Sequence, residues 1–161
     1  MITRSRRPGL LGLLAVVVVL LAGCSGGSRP TVTFDVGGAS LTAAPTQLCD
    51  NRMENCSDEP NARVTAAVPA GTPIRITVPE EVSSAPWQVA YSFTDAGGKR
   101  VDARSEIATA GSRTDYTLTL PTPQDRLVTA QVQVFGPAPA IDPESQQIEF
   151  PVRATWVLVA E

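Results

Sequence analysis

Residues 87–104 read WQVAYSFTDAGGKRVDAR, and this stretch decides the fold. The apolar residues of its first half occupy every second position: Trp87, Val89, Tyr91 and Phe93. A period of two is typical of a β-strand with one buried face. Residues 95–98, DAGG, predict a tight hairpin turn, because glycine adopts positive φ angles without steric cost. The residues predicted to face inward on the returning strand are Val101, Ala103 and Ile107.

The same alternation recurs through residues 31–161, and no window there shows the period of about 3.6 residues of an amphipathic helix. The inward residues of the other predicted strands are Val32, Phe34 and Val36; Val64, Ala66 and Val68; Ile74, Ile76 and Val78; Tyr116, Leu118 and Leu120; Val128, Ala130, Val132 and Val134; and Ile148, Phe150, Val152, Ala154, Trp156 and Leu158. Pro151 interrupts the last run and predicts an edge or a bulge, because proline cannot donate to a sheet.

These strands predict an all-β fold, an antiparallel immunoglobulin-like β-sandwich of seven to eight strands joined by Gly and Pro turns. Trp87 and Trp156 are in phase with aliphatic neighbours, so we expect both in the core. The likeness to immunoglobulin domains concerns architecture alone and implies no function.

The N-terminus has the pattern of an export signal. A basic cluster, Arg4 to Arg7, precedes an uncharged aliphatic stretch, residues 9–23. This stretch is shorter than the roughly 20 apolar residues that span a bilayer. We therefore expect a signal helix in residues 1–23 that is cleaved from the mature protein.

Residues 21–24, LAGC, resemble the bacterial lipobox, in which a diacylglyceryl group is attached to the cysteine. We expect Cys24 to carry lipid, residues 24–30 to form a flexible tether, and residues 31–161 to form the domain. Two or three acyl chains anchor stably, so the lipid would hold the protein on the extracytoplasmic face of the cell membrane. The alternative is an ordinary secretory signal that happens to contain a cysteine.

Assigning Cys24 to the lipid leaves Cys49 and Cys56, which predict a disulfide in an exported protein. The alternative, a metal or redox pair, would favour the CxxC spacing that this pair lacks. We predict no metal and no cofactor. Cleavage of the signal leaves 10 basic against 16 acidic residues, a net charge of −6, which argues against nucleic acid as a partner.

The chain has no histidine, which excludes catalytic triads built on histidine and the usual histidine zinc sites. Neither a GxSxG nor an SxxK motif is present. Glu80 and Glu81 are the best candidates for a pair of acid–base carboxylates. The simpler interpretation is a solvated strand end beside a buried Trp87, so we expect no enzyme.

Two irregular regions, residues 42–62 and 136–147, are where a binding site is expected, because binding residues concentrate on loops. The candidate binding residues are Asp50, Glu54, Asp58, Pro137, Pro139 and Asp142. Acidic oxygens suit calcium, but their spacing fits no calcium loop, so a hydrated acidic loop is the default interpretation.

The mature chain resembles an actinobacterial lipoprotein family known as domain of unknown function 2771. The matching segments are residues 45–50 (PTQLCD) with Cys56, residues 78–82 (VPEEV), residues 86–89 (PWQV), residues 116–121 (YTLTLP) and residues 153–158 (RATWVL). The resemblance implies a cell-envelope lipoprotein without an assigned activity, and it supplies no catalytic residues.

Two hypotheses about function follow. The first is a non-catalytic module, anchored to the membrane through Cys24, that binds an envelope protein or a cell-wall polymer through its loops. The alternative is an envelope hydrolase that uses carboxylates alone to act on a glycan or a peptide.

Overall fold

Strands account for most of the regular structure in the computed structural model, which describes residues 29–141, 146 and 148–161. The strands are β1 (Val32–Val36), β2 (Ala39–Ala43), β3 (Gln47–Leu48), β4 (Ser57–Asp58), β5 (Val64–Ala66), β6 (Ile74–Thr77), β7 (Trp87–Thr94), β8 (Arg100–Arg104), β9 (Asp115–Leu118), β10 (Arg126–Phe135), β11 (Ala140–Ile141), β12 (Ile148–Glu149) and β13 (Val152–Ala160). The helices in these ranges are a 3-10 turn, η1 (Pro60–Ala62), and the single turn α1 (Glu80–Ser83). The predicted signal helix and Cys24 lie outside the described residues.

Two sheets pack face to face, so the predicted β-sandwich is confirmed. The smaller sheet has the order β2-β1-β6-β9, and the larger has the order β4-β3-β13-β10-β7-β8. All these neighbours are antiparallel, whereas β5 runs parallel to β13. The order β13-β10-β7-β8, with Trp87 opening β7, corresponds to the G-F-C-C′ sheet of immunoglobulin sandwiches.

Eight strands of the described chain have four or more residues, in agreement with the seven to eight expected. The other strands have two or three residues. One of them, β5, lies in the segment that the alternation of Val64, Ala66 and Val68 predicted. The structure also adds β2, which follows β1 through a turn at Gly37 and Gly38, with φ angles of 56° and 90°.

The core fills the space between the sheets. The residues that are at most 1% exposed include Val32, Phe34, Ile74, Ile76, Trp87, Val89, Leu118, Val132, Val134, Trp156 and Leu158. Both tryptophans are therefore core residues, as predicted. Each also satisfies its indole N–H: Trp87 donates to the Arg113 carbonyl at 3.3 Å, and Trp156 donates to the Pro30 carbonyl at 2.9 Å.

The prediction that Ile107 faces the core is wrong, since its side chain is 52% exposed. The strand β8 ends at Arg104, and Ser105 still bonds to β7, with its N–H donated to the Val89 carbonyl at 2.8 Å. The next bonds to β7 are made by Ala108, which exchanges two backbone hydrogen bonds with Trp87, is 4% exposed and takes the inner position. The two residues between Ser105 and Ala108 interrupt the pairing, which breaks the phase of the alternation.

The inward placement of Ile148 and Phe150 is also wrong, since they are 68% and 56% exposed. The predicted last strand is divided at Pro151, whose carbonyl accepts the Gly136 N–H at 2.7 Å. Before Pro151 the chain pairs with β11 in a separate hairpin, and only after it does β13 join the larger sheet.

A bulge in β10 corrects a third expectation. The register with β7 shifts between Leu127 and Thr129, so Leu127 pairs with Phe93 and is 6% exposed. Val128, which we predicted to face inward, sits in the bulge and is only half-buried. The extra residue allows both Leu127 and Ala130 to reach the core.

The two long edges of the larger sheet differ. The outer edge of β13 is covered by β3 near its start and by β5 near its end. Within the described part of the chain, no strand pairs with the outer edge of β8, which carries three exposed charged side chains, Arg100, Asp102 and Arg104.

Candidate functional site

The predicted disulfide between Cys49 and Cys56 is present, with the two Cα atoms 4.0 Å apart. It closes the loop between β3 and β4, which pair through Leu48 and Ser57. Cys49 is buried and Cys56 is exposed, so the bridge ties the loop to the margin of the core.

Asp50 has a structural role in this disulfide loop. Its carboxylate accepts hydrogen bonds from the Asn55 side chain at 2.8 Å and from the backbone N–H groups of Glu54 and Arg52, both at 2.9 Å. These bonds, the one from Asn55 first, lower the pKa of the Asp50 carboxyl below its ordinary value of 3.8. The carboxylate therefore orders the loop that contains it.

The predicted acidic residues of this loop do not form a metal site. Glu54 and Asp58 are exposed to solvent. Within the ranges the structure covers, no three histidine, cysteine or acidic side chains are placed to hold an ion.

Removing the disulfide by the double substitution Cys49→Ala and Cys56→Ala is expected to lower the free energy of unfolding by about 2 to 3 kcal/mol. The sandwich should stay assembled, because the bridge closes a short loop outside the long strands. Urea unfolding followed by circular dichroism measures the change. Loss of the β-sheet spectrum without denaturant would contradict the prediction.

The two irregular regions meet at one end of the sandwich. Asn51 of the disulfide loop, Glu81 of α1 and Pro137 line a cavity of about 600 Å³. Arg153 also lines it, and burial lowers the pKa of its guanidinium. Pro137 and Pro139 are exposed, and Asp142 lies outside the described residues. The structure thus brings Pro137 close to the disulfide loop but does not bring the acidic candidates together.

Glu80 and Glu81 open the helix α1 rather than ending a strand, so the predicted strand end is wrong. Their solvation is as predicted, because both side chains are exposed. The depression they line with Ser84 is shallow. Paired carboxylates of glycosidases flank a bound sugar from two sides, and two residues on one exposed turn give no such arrangement.

The outer face of the larger sheet carries a feature that the sequence did not predict. A cavity of about 380 Å³, here called the polar trough, crosses β10, β7 and β8. Its polar lining residues are Gln88, Ser92, Arg100, Asp102, Arg104, Thr129, Gln131 and Gln133. Gln88 and Ser92 form part of its floor and are 4% and 3% exposed.

Hydrogen bonds hold the floor of the polar trough in place. The Gln88 amide donates to the Gln133 side chain at 2.9 Å, and the hydroxyls of Ser92 and Thr129 are 3.0 Å apart. The Arg100 guanidinium donates to the Ser92 hydroxyl at 3.0 Å. Among the described residues, the Arg104 guanidinium has no hydrogen bond or ion pair. The trough therefore combines ordered amides and hydroxyls with one cation that is available to a ligand.

A second cavity, lined half by apolar and half by polar residues, adjoins the polar trough. We call it the apolar depression after its apolar walls, which are Ile107, Phe135, Ile148 and Phe150; its volume is about 540 Å³, and its polar walls are Gln88, Arg104, Ser105 and Glu106. The Phe135 and Phe150 rings meet edge to face, with their centroids 6.4 Å apart. Gln88 and Arg104 line both cavities, so the two are neighbours.

The alternation of residues 87–93 already placed Gln88 and Ser92 on a face away from the core. The alternation could therefore have identified half of the polar trough. It could not show that β10 would bring Gln133 and Thr129 beside them, because pairing register between distant strands is not contained in either strand.

Comparison with known proteins identifies a family. The model of a family described as a protein of unknown function (DUF2771) matches residues 26–161. No curated protein and no solved structure matches the chain. Since the family model covers most of the sequence, the chain belongs to this family of proteins of unknown function.

Proposed function

We propose that the protein is a lipoprotein of the cell envelope that is held on the membrane through Cys24 and binds a hydroxyl-rich cell-wall polymer in the polar trough. The lipobox-like residues 21–24 support the anchor. The absence of histidine from the chain supports a binding role over catalysis by a histidine triad.

The observation that carries the proposal is the ordered polar floor of the trough. Gln88 and Ser92 are almost fully buried, yet each is held by a side chain of β10. Buried polar groups with fixed partners lose little freedom when a ligand arrives, so their remaining donors and acceptors are preorganised. Sugar hydroxyls both donate and accept hydrogen bonds, which matches the mixture of amide, hydroxyl, guanidinium and carboxylate groups in this trough.

The shape of the trough favours a polymer. It lies across three neighbouring strands, which are spaced about 4.8 Å apart. The side chains of Arg104 on β8 and Gln131 on β10 stand on opposite sides of the small residue Ala90. A chain can therefore pass over Ala90 between these two side chains.

Binding to purified cell wall tests the proposal. The mature domain is expected to cosediment with insoluble cell-wall polymer, and the double substitution Arg104→Ala and Gln131→Ala is expected to weaken association about tenfold, the loss of one hydrogen bond to a charged group. Arg75→Ala is the matched control, because Arg75 is an exposed arginine of β6 in the other sheet.

Thermal melting of the three proteins should be nearly the same, since exposed substitutions usually change stability by no more than about 0.5 kcal/mol. Equal cosedimentation of the trough variant and the wild type would contradict the trough as the site. Failure of the wild type to cosediment at all would contradict the polymer as the ligand.

A further inference from the structure

The large exposed apolar side chains of the described chain are gathered in one place. These residues are Ile107, Ile141, Ile148 and Phe150, which are 52%, 67%, 68% and 56% exposed. Ile141 and Ile148 are paired across the β11–β12 hairpin, and Phe150 follows two residues later, so the three share one face. Ile107 and Phe150 are walls of the same apolar depression. We call these four residues the apolar end.

The apolar end lies at the end of the sandwich where the described chain begins. Thr33 of β1 pairs with Thr77, the last residue of β6, and α1 then leads directly to Trp87 at the start of β7. Trp87 in turn bridges to Ala108, the residue after Ile107. The first residues of β1 and the apolar end are therefore at the same end of the strands.

Arg29 confirms this placement from the other edge of the larger sheet. It lines a surface depression together with Cys49 and Asp50, and it pairs with Glu59 at 3.8 Å. Met53 of the same loop lies against Gly136, which is four residues before the start of β11. The disulfide loop thus connects the chain entry with the base of the hairpin.

The distance from this end to the proposed lipid is short. Five Cα steps separate Cys24 from Arg29, and an extended chain spans at most about 3.6 Å per residue, or about 18 Å in all. The chain entry is therefore confined to within about 18 Å of the lipid-bearing cysteine.

We infer that the apolar end is a second membrane contact, in which Ile107, Ile141, Ile148 and Phe150 enter the interface of the bilayer that holds the lipid. The inference rests on the proposed anchor at Cys24. A patch of exposed apolar side chains is typical of a protein or membrane contact, and here the bilayer is within reach of the tether. The tether also raises the local concentration of the patch at the bilayer, so that weak insertion becomes effective.

Charge favours apolar insertion over electrostatic adsorption. The mature chain has 10 basic and 16 acidic residues, so anionic headgroups repel the domain as a whole. Contact should therefore occur on zwitterionic lipid and should depend little on salt. With the apolar end on the bilayer, Gln88 and Arg104 place the mouth of the polar trough next to the membrane surface.

Tryptophan quenching tests the contact. The mature lipidated protein carrying Phe150→Trp is reconstituted into phosphatidylcholine vesicles with brominated acyl chains. Lys99→Trp is the matched control, because Lys99 is exposed beside the hairpin turn at the opposite end of β7. The wild-type signal from the buried Trp87 and Trp156 is subtracted. The indole at position 150 is expected to shift to shorter wavelength and to lose most of its emission to bromine, whereas the indole at position 99 is unchanged.

Adding Ile107→Ser and Ile148→Ser to the Phe150→Trp protein is expected to abolish the quenching. Equal emission with brominated and ordinary lipid overturns the inference. A blue shift that grows with protein density and is not accompanied by quenching in brominated lipid would assign the patch to a second copy and also overturn it. Mass analysis separates the two proposals: a mature Cys24 without lipid overturns the anchor and this inference together, whereas a lipidated protein with unquenched indole at position 150 overturns the contact alone.

Discussion

Trp87→Ala is expected to lower the free energy of unfolding by about 3 to 5 kcal/mol, the usual cost of removing a large buried aromatic side chain. The Trp87 ring is fully buried at the start of β7. The Arg113 guanidinium lies 5.6 Å from the Trp87 ring centroid and 5.3 Å from that of Tyr116. The Arg113 Nε atom is buried without a hydrogen-bond partner in the described residues, whereas its Nη2 atom donates to the Glu106 carbonyl at 3.1 Å. Truncation of Trp87 therefore leaves a cavity and removes one of the two rings that flank the guanidinium.

Trp87→Phe is the control for this experiment. Phenylalanine keeps a ring under Arg113 but loses the indole N–H that bonds to the Arg113 carbonyl, so it should cost clearly less than alanine. Urea unfolding of the three proteins measures the difference. A melting curve of Trp87→Ala close to that of the wild type would mean that the ring is exposed in solution and would contradict the buried placement.

Trp156→Ala is the second large effect, again with an expected loss of about 3 to 5 kcal/mol. Trp156 is 1% exposed in the middle of β13, and its indole N–H is bonded to the Pro30 carbonyl. The substitution therefore also releases the chain entry from the core. Hydrogen exchange at Thr31 and Val32 is expected to become faster.

Trp156→Phe separates the two contributions. It preserves most of the packing and removes the hydrogen bond, so it should cost about 1 kcal/mol from that bond, plus a smaller packing loss. Exchange at Thr31 should still be faster than in the wild type. Slow exchange in both variants would contradict a role of the indole in holding the chain entry.

The sequence predicted the fold class because its signal is local and repeated. The alternation predicted four inward residues that are indeed buried: Phe34, Ile76, Val89 and Leu158. The disulfide was also predictable, because the expectation of export, with one of the three cysteines assigned to lipid, leaves a single pair. These inferences need no knowledge of which strand neighbours which.

The errors arise where the chain leaves a sheet without changing its pattern. Phe150 continues the alternation of β13, but Pro151 separates it from that strand. Ile107 continues β8, but Ala108 is the residue that bridges back to Trp87. A period of two records which residues could share a face, and it does not record where pairing stops.

The candidate site was predicted less well than the fold, for the same reason. Loop residues such as Asp50 were chosen for their chemistry. The Asp50 carboxylate instead accepts hydrogen bonds from residues of its own loop. The polar trough is built from the outward positions of three strands, and Gln88 meets Gln133 across 45 residues of sequence. No local sequence pattern predicts that contact.

The two edges of the larger sheet, one covered and one charged, bear on how the protein behaves at high surface density. Molecules tethered to one membrane collide in two dimensions with similar orientations, which favours pairing between exposed strand edges. The cover of β3 and β5 leaves little of β13 available to a neighbour. On β8, Arg100, Asp102 and Arg104 oppose edge-to-edge association, because burying their charges against another chain is costly. Held by the proposed lipid at Cys24, the protein would therefore resist pairing with a neighbour through the edges of its larger sheet.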